Sequence, residues 1–500
     1  MGRSLTNNLS LSVAVESALG IQPTSGWKIV EPTTIGKFGP SLTKLTRTPI
    51  SKNRQRRKGA LTDLNSSVEF EADITYNHLM MFAEGLLFAT ARGGTVYDVS
   101  GVTATGFTVA AGGAIAADTL VVVRGCKNAV NNGLKTVTAG STGTEIHAAG
   151  LVAEVFAANQ GVTLEIAGFV GAAGDLKIDA TGHLTSTATN FTTGVPGMIQ
   201  RGQFIHVGDV AGGANSFFTA ADRGLARVQA IAANLLTLDK TSATFVVDDG
   251  TSTGSLGTAK SIYILFGSYV RNVSVDDPDY LERTYQFELA YENLGLTPGT
   301  DEYEYAEGNF ANQMDFSFQT ASKGTMKCTF IGTDTSPPAL TRATGGSIAK
   351  QPTATEMYNT SSDFVRLRVE NADLTGLTTD FKNVTLMLKN NVTPEKVVGT
   401  LGGKYMNAGL FEVELDGSCL FTSDLVLAAM RNNATLSMEF CVRNGDGGFC
   451  FDIPSMTVEG GDKNFPVNQT IDITLKAMAF QDANLGTSLS LSTFPYLPAA

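Results

Sequence analysis

Histidine is the side chain that most often moves protons or binds transition metals near neutral pH, and this chain has four: His78, His147, His183 and His206. No two stand at metal-ligand spacing. His206 lies inside the apolar run Phe204 to Val207, where a packed imidazole is expected rather than a ligand. Carboxylate pairs such as Glu412 and Glu414 would share one face of a strand, but alternating acids on a solvated face do not specify a glycosidase. The acidic stretches Asp276-Asp277-Pro278-Asp279 and Asp301 to Glu307 lack the glycine spacing of a calcium loop and read as solvated loops or a negatively charged lining. Cys126, Cys328, Cys419, Cys441 and Cys450 are odd in number, irregularly spaced and without CxxC, so buried free thiols are expected in place of a zinc site or a disulfide framework. The P-loop and a dinucleotide GxGxxG are missing. No catalytic, metal or cofactor-binding residue is nominated, and the chain is not expected to be an enzyme.

The strongest charge signal is Lys44 to Lys58, KLTRTPISKNRQRRK, with seven basic residues and no acid in a chain of net charge −12. A nucleic-acid reading needs interleaved aromatics or a groove-entering helix, and the run has neither. A solvated loop is the plain alternative. Docking onto the acidic remainder of a neighbouring subunit fits the charge asymmetry best, with Lys52, Arg54, Arg56, Arg57 and Lys58 as the candidate contact residues.

The elements around that run change hydrophobic period. Val68, Phe70, Ala72 and Ile74 alternate with acids, the period of a half-buried strand. Leu79, Phe82, Ala83, Leu86 and Leu87 then follow a helical stripe, with Asp73 or Thr75 able to cap it. The same change recurs from Leu410 to Phe440: Phe411, Val413 and Leu415 alternate, Thr422-Ser423-Asp424 offers caps to an apolar run Leu425 to Met430, and strand periodicity resumes at Leu436. Asn309-Phe310-Ala311-Asn312-Gln313 and Asn464-Phe465-Pro466-Val467-Asn468-Gln469 each precede an alternating strand, and the strands ending at Thr48 and Lys389 each run into a loop. The chain is read as one fold present twice.

Between the copies of this pattern, from Arg92 to about Lys260, charge thins and Gly, Ala, Thr and Val dominate. Leu120 to Val123, Gly133 to Val137 and Thr144 to Ile146 are matched by Phe204 to Val207, Gly224 to Val228 and Leu235 to Leu238, two modules of short strands. The expected organisation is an N-terminal arm (1–26), a first copy in two pieces (27–97 and 261–330), an inserted two-module β-domain (98–260), a linker (331–339) and a second copy (340–500). The insert is expected on the exterior and dispensable for assembly, and Trp27 is expected to pack locally. Fifty-three glycines and many Thr, Ser and Asn agree with a mainly β chain. The acid excess disfavours a general nucleic-acid binder. Without a signal-peptide core or an apolar stretch of membrane-spanning length, the protein is expected to be made and kept in a cytoplasm.

The run GPSLTKLTRTPISKNRQRRKGALTDLNSSVEFEADITYNHLMMFAEGLLFA resembles the N-terminal signature of tail tube proteins of long-tailed, non-contractile bacteriophages: strand, basic loop, strand, helix. The resemblance implies a β-sandwich or half-barrel with one helix per copy, in a virion protein assembled in the host cytoplasm. It implies stacked rings enclosing DNA that passes without specific binding, a long loop contacting the next ring, and tape-measure, tail-terminator and baseplate proteins as partners. Rings of that family hold six copies of the fold, so a duplicated chain is expected to form trimeric pseudo-sixfold rings, with a hexamer of chains as the runner-up. A surface adhesin or carbohydrate-binding β-protein is the alternative from another class. No cofactor and no membrane are implied.

Overall fold

The computed structural model describes residues 6–48, 50, 52, 55, 57–112, 114–210, 212–251, 258–292, 301–343, 348–370, 380–421, 425–465, 467–468 and 470–499. Alternation builds the first half. In strands β1 (Leu9–Val15), β2 (Pro32–Leu45) and β3 (Ala60–Asp73), Leu11, Val13, Val68, Phe70 and Ala72 face one core. Helix α1 (Tyr76–Leu87) lies on that face, and Thr75 caps it by accepting the amide of His78 at 3.2 Å. Its apolar stripe meets strands β4 (Tyr285–Tyr291), β5 (Glu302–Gln319) and β6 (Thr325–Gly332). The Phe82 ring centroid is 5.4 Å from Phe330 and 5.7 Å from Tyr285. Each buried aromatic of this kind stabilises the fold by about 2–3 kcal/mol relative to exposure. Gly85 permits the close approach, since a Cβ there would sit 2.4 Å from the Tyr285 ring.

The second half repeats the order of elements. Strand β7 (Asp334–Ala339) leads to β8 (Phe364–Glu370), β9 (Phe381–Lys389) and β10 (Glu412–Leu420), then helix α2 (Leu425–Arg431). Strands β11 (Leu436–Asn444), β12 (Gly447–Asn464), β13 (Asp472–Ala479) and β14 (Ser490–Phe494) follow. Antiparallel pairing in the first half runs β1–β4–β5–β6–β3–β2. In the second half it runs β8–β11–β12–β13–β10–β9. The long strands β5 and β12 also take β7 and β14 along the edge that carries β6 and β13. The halves join where Gln313 to Gln319 of β5 pair with Lys389 to Asn383 of β9.

Several expectations change. The N-terminal arm is a sheet strand, because the chain supplies β4 as its partner from residues far downstream: Val13 pairs with Phe287. Trp27 packs across segments, against Ala14, Tyr305 and Ala349, with its ring 6.0 Å from Tyr305. The expected linker contains β7. The two Asn-Phe motifs occupy different places: Asn309 is buried within β5, donating to the Tyr285 and Ala306 carbonyls, whereas Phe465 lies in the β12–β13 turn. Thr422, Ser423 and Asp424, the expected caps of α2, lie outside the described residues. Cys441 and Cys450, directly opposed on β11 and β12, form a disulfide, which corrects the free-thiol expectation for that pair. Cys126, Cys328 and Cys419 are free and buried.

Strands between Val96 and Leu265 form a second sheet with its own core. Its central strand Thr163–Val170 pairs with Val96–Val102, Thr119–Arg124 and Tyr263–Leu265. The last of these continues into Phe204–Val207, Gly224–Ala232 and Leu235–Asp239, so both modules share one sheet. Ile262, Ile264 and Phe266 belong to this core, and residues 261–266 therefore fold with the insert rather than with the first half. Among the described residues no helix is long and apolar enough to cross a membrane.

Candidate assembly interface

The β2–β3 hairpin sets the reach of the basic run. Each of its arms has 14 residues, against nine in β9 and β10. At about 3.3 Å per residue the extra length carries the loop roughly 16 Å beyond its counterpart. Lys52, Arg57 and Lys58 are exposed there, beside exposed Leu45 and Ile50. Arg54 and Arg56 lie outside the described residues. Like charges this close repel, so the loop gains from an acidic partner.

The corresponding loop of the second half folds back. Its arms Thr393–Glu395 and Tyr405–Asn407 pair, and Lys396 Nζ lies 2.6 Å from Asp63 in β3 and 2.7 Å from Asn65. That ammonium holds the Asp63 carboxyl below its ordinary pKa. Val392 and Met406 are buried against Phe88 and Phe310. Gly402, at φ +89°, comes so close to the Thr333 carbonyl that a Cβ would sit 2.5 Å from its oxygen. One loop of the pair is committed to its own chain and the other is extended.

Among the open edges of the described residues, two belong to the strands equivalent to those that join the halves. Beyond Met456, β12 pairs only with β13, and β2 pairs only with β3 among the described residues. Unpaired N–H and C=O rows are ready templates for another strand. Away from the helices the sheet is polar and acid-rich, with Glu69, Glu71, Glu412, Glu414 and Asp416 alternating against the buried positions of β3 and β10.

The insert is tied into the second half by buried ion pairs. Arg227 and Lys240 of the insert reach Asp452 of β12 at 2.9 and 3.0 Å, and Lys240 reaches Glu439 of β11 at 3.3 Å. Arg366 of β8 pairs with Glu439 from the other side. Burial raises the Glu439 pKa although Lys240 and Arg366 oppose it, and burial lowers that of Arg366. At the other margin Tyr76 of α1 donates to Glu165 at 2.8 Å, and Arg124 lies 3.5 Å from the same carboxylate while donating to the Pro495 carbonyl at 2.6 Å. Burial pushes Glu165 up to about 7, against the pull of Arg124 and Tyr76.

His78 and His206 are buried in the packing. His78 Nδ1 meets the Asp73 carbonyl at 2.8 Å, and His206 Nδ1 meets that of Gly208 at 2.9 Å. Burial lowers both pKa values, that of His206 to about 4. At that value the His206 ring is neutral near pH 7 and donates from Nδ1 to the Gly208 carbonyl. The disulfide and the buried ion pairs escaped the sequence reading. The former had a signal: Cys441 and Cys450 are symmetric about the turn residues Gly445-Asp446 of a hairpin.

The described residues leave open sheet edges and an extended basic hairpin on the surface. A search of curated proteins finds no match. A family model for the phage tail tube protein matches residues 6–479, nearly the whole described sheet system, and the chain belongs to that family.

Proposed function

We propose that this protein polymerises into stacked rings of three chains, forming the tube through which phage DNA reaches the host. Family membership supports a structural, non-enzymatic role in the virion tail. The observation that carries the finer reading is the β5–β9 joint between halves with the same pairing order. If the halves are two copies of one fold, the joint is the contact between neighbours in a ring, already made once within each chain. The open edge of β12 beyond Met456 then stands where Gln313 to Gln319 stand in β5, and the open edge of β2 stands where β9 does. Pairing them between chains repeats the joint head to tail, and a heterologous contact that closes makes a ring. Three chains supply six places.

The helix-free face, with its acids on β3 and β10, is suited to line the lumen, because negative walls keep DNA from adhering. The Lys52, Arg57 and Lys58 loop extends along the tube axis to the next ring. Tape-measure, tail-terminator and baseplate proteins are the proposed partners at the ends, and assembly is proposed in the host cytoplasm. Negative-stain microscopy of the purified protein across a concentration series tests the reading. Rings and tubes support it, and discrete globules at every concentration would refute it.

A further inference from the structure

The two ends of β13 differ in a complementary way. At its start, the β12–β13 turn presents Phe465 and Val467 to solvent, 68% and 86% exposed. At its finish, Met478 and Ala479 line a cleft of about 610 Å³ whose walls include Leu87, Phe88, Val275, Leu410 and Phe480. Leu410 and Val275 are 74% and 73% exposed, an unusual pairing of apolar side chains beside an apolar wall. The eight residues of β13 run from turn to cleft, so the two lie at opposite ends of the sheet, roughly 23 Å apart.

Charge agrees with shape. Lys463 stands beside the exposed turn, its ammonium 3.9 Å over the Phe421 ring, while Glu412 lines the cleft and the exposed Asp276 follows the lining residue Val275 in sequence. Register fixes the direction as well. In β10, Glu412 is at the cleft and Leu420, opposite Asp472, is at the turn. In β3, Asp73 is opposite Thr325 at the turn end of the sheet, so the basic β2–β3 loop leaves from the cleft end. Cleft and basic loop therefore face the same neighbour. The first half offers no second plug, because its equivalent turn, Thr320 to Lys323, is polar.

We infer that consecutive rings are held by an apolar plug and socket: Phe465 and Val467 of a chain in one ring enter the Leu87, Phe88, Leu410 and Phe480 cleft of a chain in the next, with Lys463 facing Asp276 and Glu412. The occupant is a second copy of this chain. The contact is heterologous and does not close on itself, which is the requirement for an open-ended stack. It supplies desolvated area, an aromatic side chain burying about 150–250 Å², where the basic loop supplies mainly charge. This inference rests on the stacked-ring reading.

The test uses the full-length protein with Phe465→Ser and Val467→Ser together, both at exposed positions, and separately with Leu410→Cys and Val467→Cys for oxidative cross-linking. The native free cysteines are buried, so new cross-links report the engineered pair. The serine variant is expected to keep wild-type circular dichroism and rings while elongating at least tenfold more slowly. The cysteine variant is expected to give chain-to-chain ladders in sedimented tubes and none before assembly. Wild-type elongation by the serine variant, or tubes without ladders, would overturn the plug while leaving the tube reading standing. Failure of the wild-type protein to form tubes would overturn both.

Discussion

Arg227 of the insert and Asp452 of β12 face each other at 2.9 Å, with the carboxylate side chain only 1% exposed. Asp452 rests on Arg227 and Lys240 of the insert, and Glu439 on Lys240 together with Arg366 of β8. Replacing residues 95–266 with a short Gly/Ser linker would remove Arg227 and Lys240 from the two acids and strip Phe204 and Leu225 from Phe494 and Leu497, and losing the burial of a Phe and a Leu costs about 3–6 kcal/mol together. The deleted protein is expected to unfold at lower urea than the parent. Adding Glu439→Gln and Asp452→Asn to the deletion should recover part of the loss. Equal urea midpoints for parent and simple deletion would show that the insert is a free ornament.

Glu165 gives a pH dependence with a defined sign. Its folded pKa is raised to about 7, above its ordinary value of 4.5, so the folded state holds the extra proton across that window. Stability from this group is full below about pH 4.5 and is lost as pH rises through 7, on the order of 3 kcal/mol in all. Glu165→Gln should flatten that slope and exceed the parent at pH 8. Thermal melts of both proteins between pH 5 and 8 measure it, and parallel curves would contradict it.

Gly85 tests the packing of α1. Alanine is the better helix former by about 1 kcal/mol, yet its Cβ would overlap the Tyr285 ring. Gly85→Ala is expected to be net destabilising by about 1–3 kcal/mol, the usual range for overpacking. A urea midpoint raised by the substitution would mean that Tyr285 moves aside easily.

Electrostatic steering by the extended loop should appear in rate more than in final stability, since each rim pair contributes only about 0.2–1 kcal/mol. Lys52→Glu, Arg57→Glu and Lys58→Glu together are expected to slow elongation and to weaken its dependence on salt. Light scattering at several ionic strengths reads both quantities. A variant that elongates like the parent at every salt concentration would remove the loop from the assembly contact.

What could be read in advance was what local periodicity encodes. Val68, Phe70 and Ala72 alternate and Leu79, Phe82 and Leu86 follow a helical stripe, and both patterns fold as they read. Leu9–Val15 was opaque because its partner, β4, is supplied from about 270 residues away, and nothing local announces such a pairing. The Asn-Phe resemblance misled because identical letters can be buried in a strand, as at Asn309, or exposed in a turn, as at Phe465. Residues 261–266 fell on the wrong side of the insert boundary because apolar strands of either sheet look alike in one dimension. In the candidate interface the charge run was plain, but the open edges, the cleft beside Leu410 and the Asp452 and Glu439 ion pairs exist only once distant strands have met.

Ring symmetry tests the central claim most directly. A cryo-electron-microscopy reconstruction of the assembled tube, calculated without imposed symmetry, should show three chains per ring, with six β-modules related only approximately by sixfold rotation. By the register of the β5–β9 joint, in which Asp315 pairs with Met387, Asp462 of one chain should lie opposite Gly39 of the next. Six identical copies per ring of the loop bearing Lys52, Arg57 and Lys58 would contradict the account.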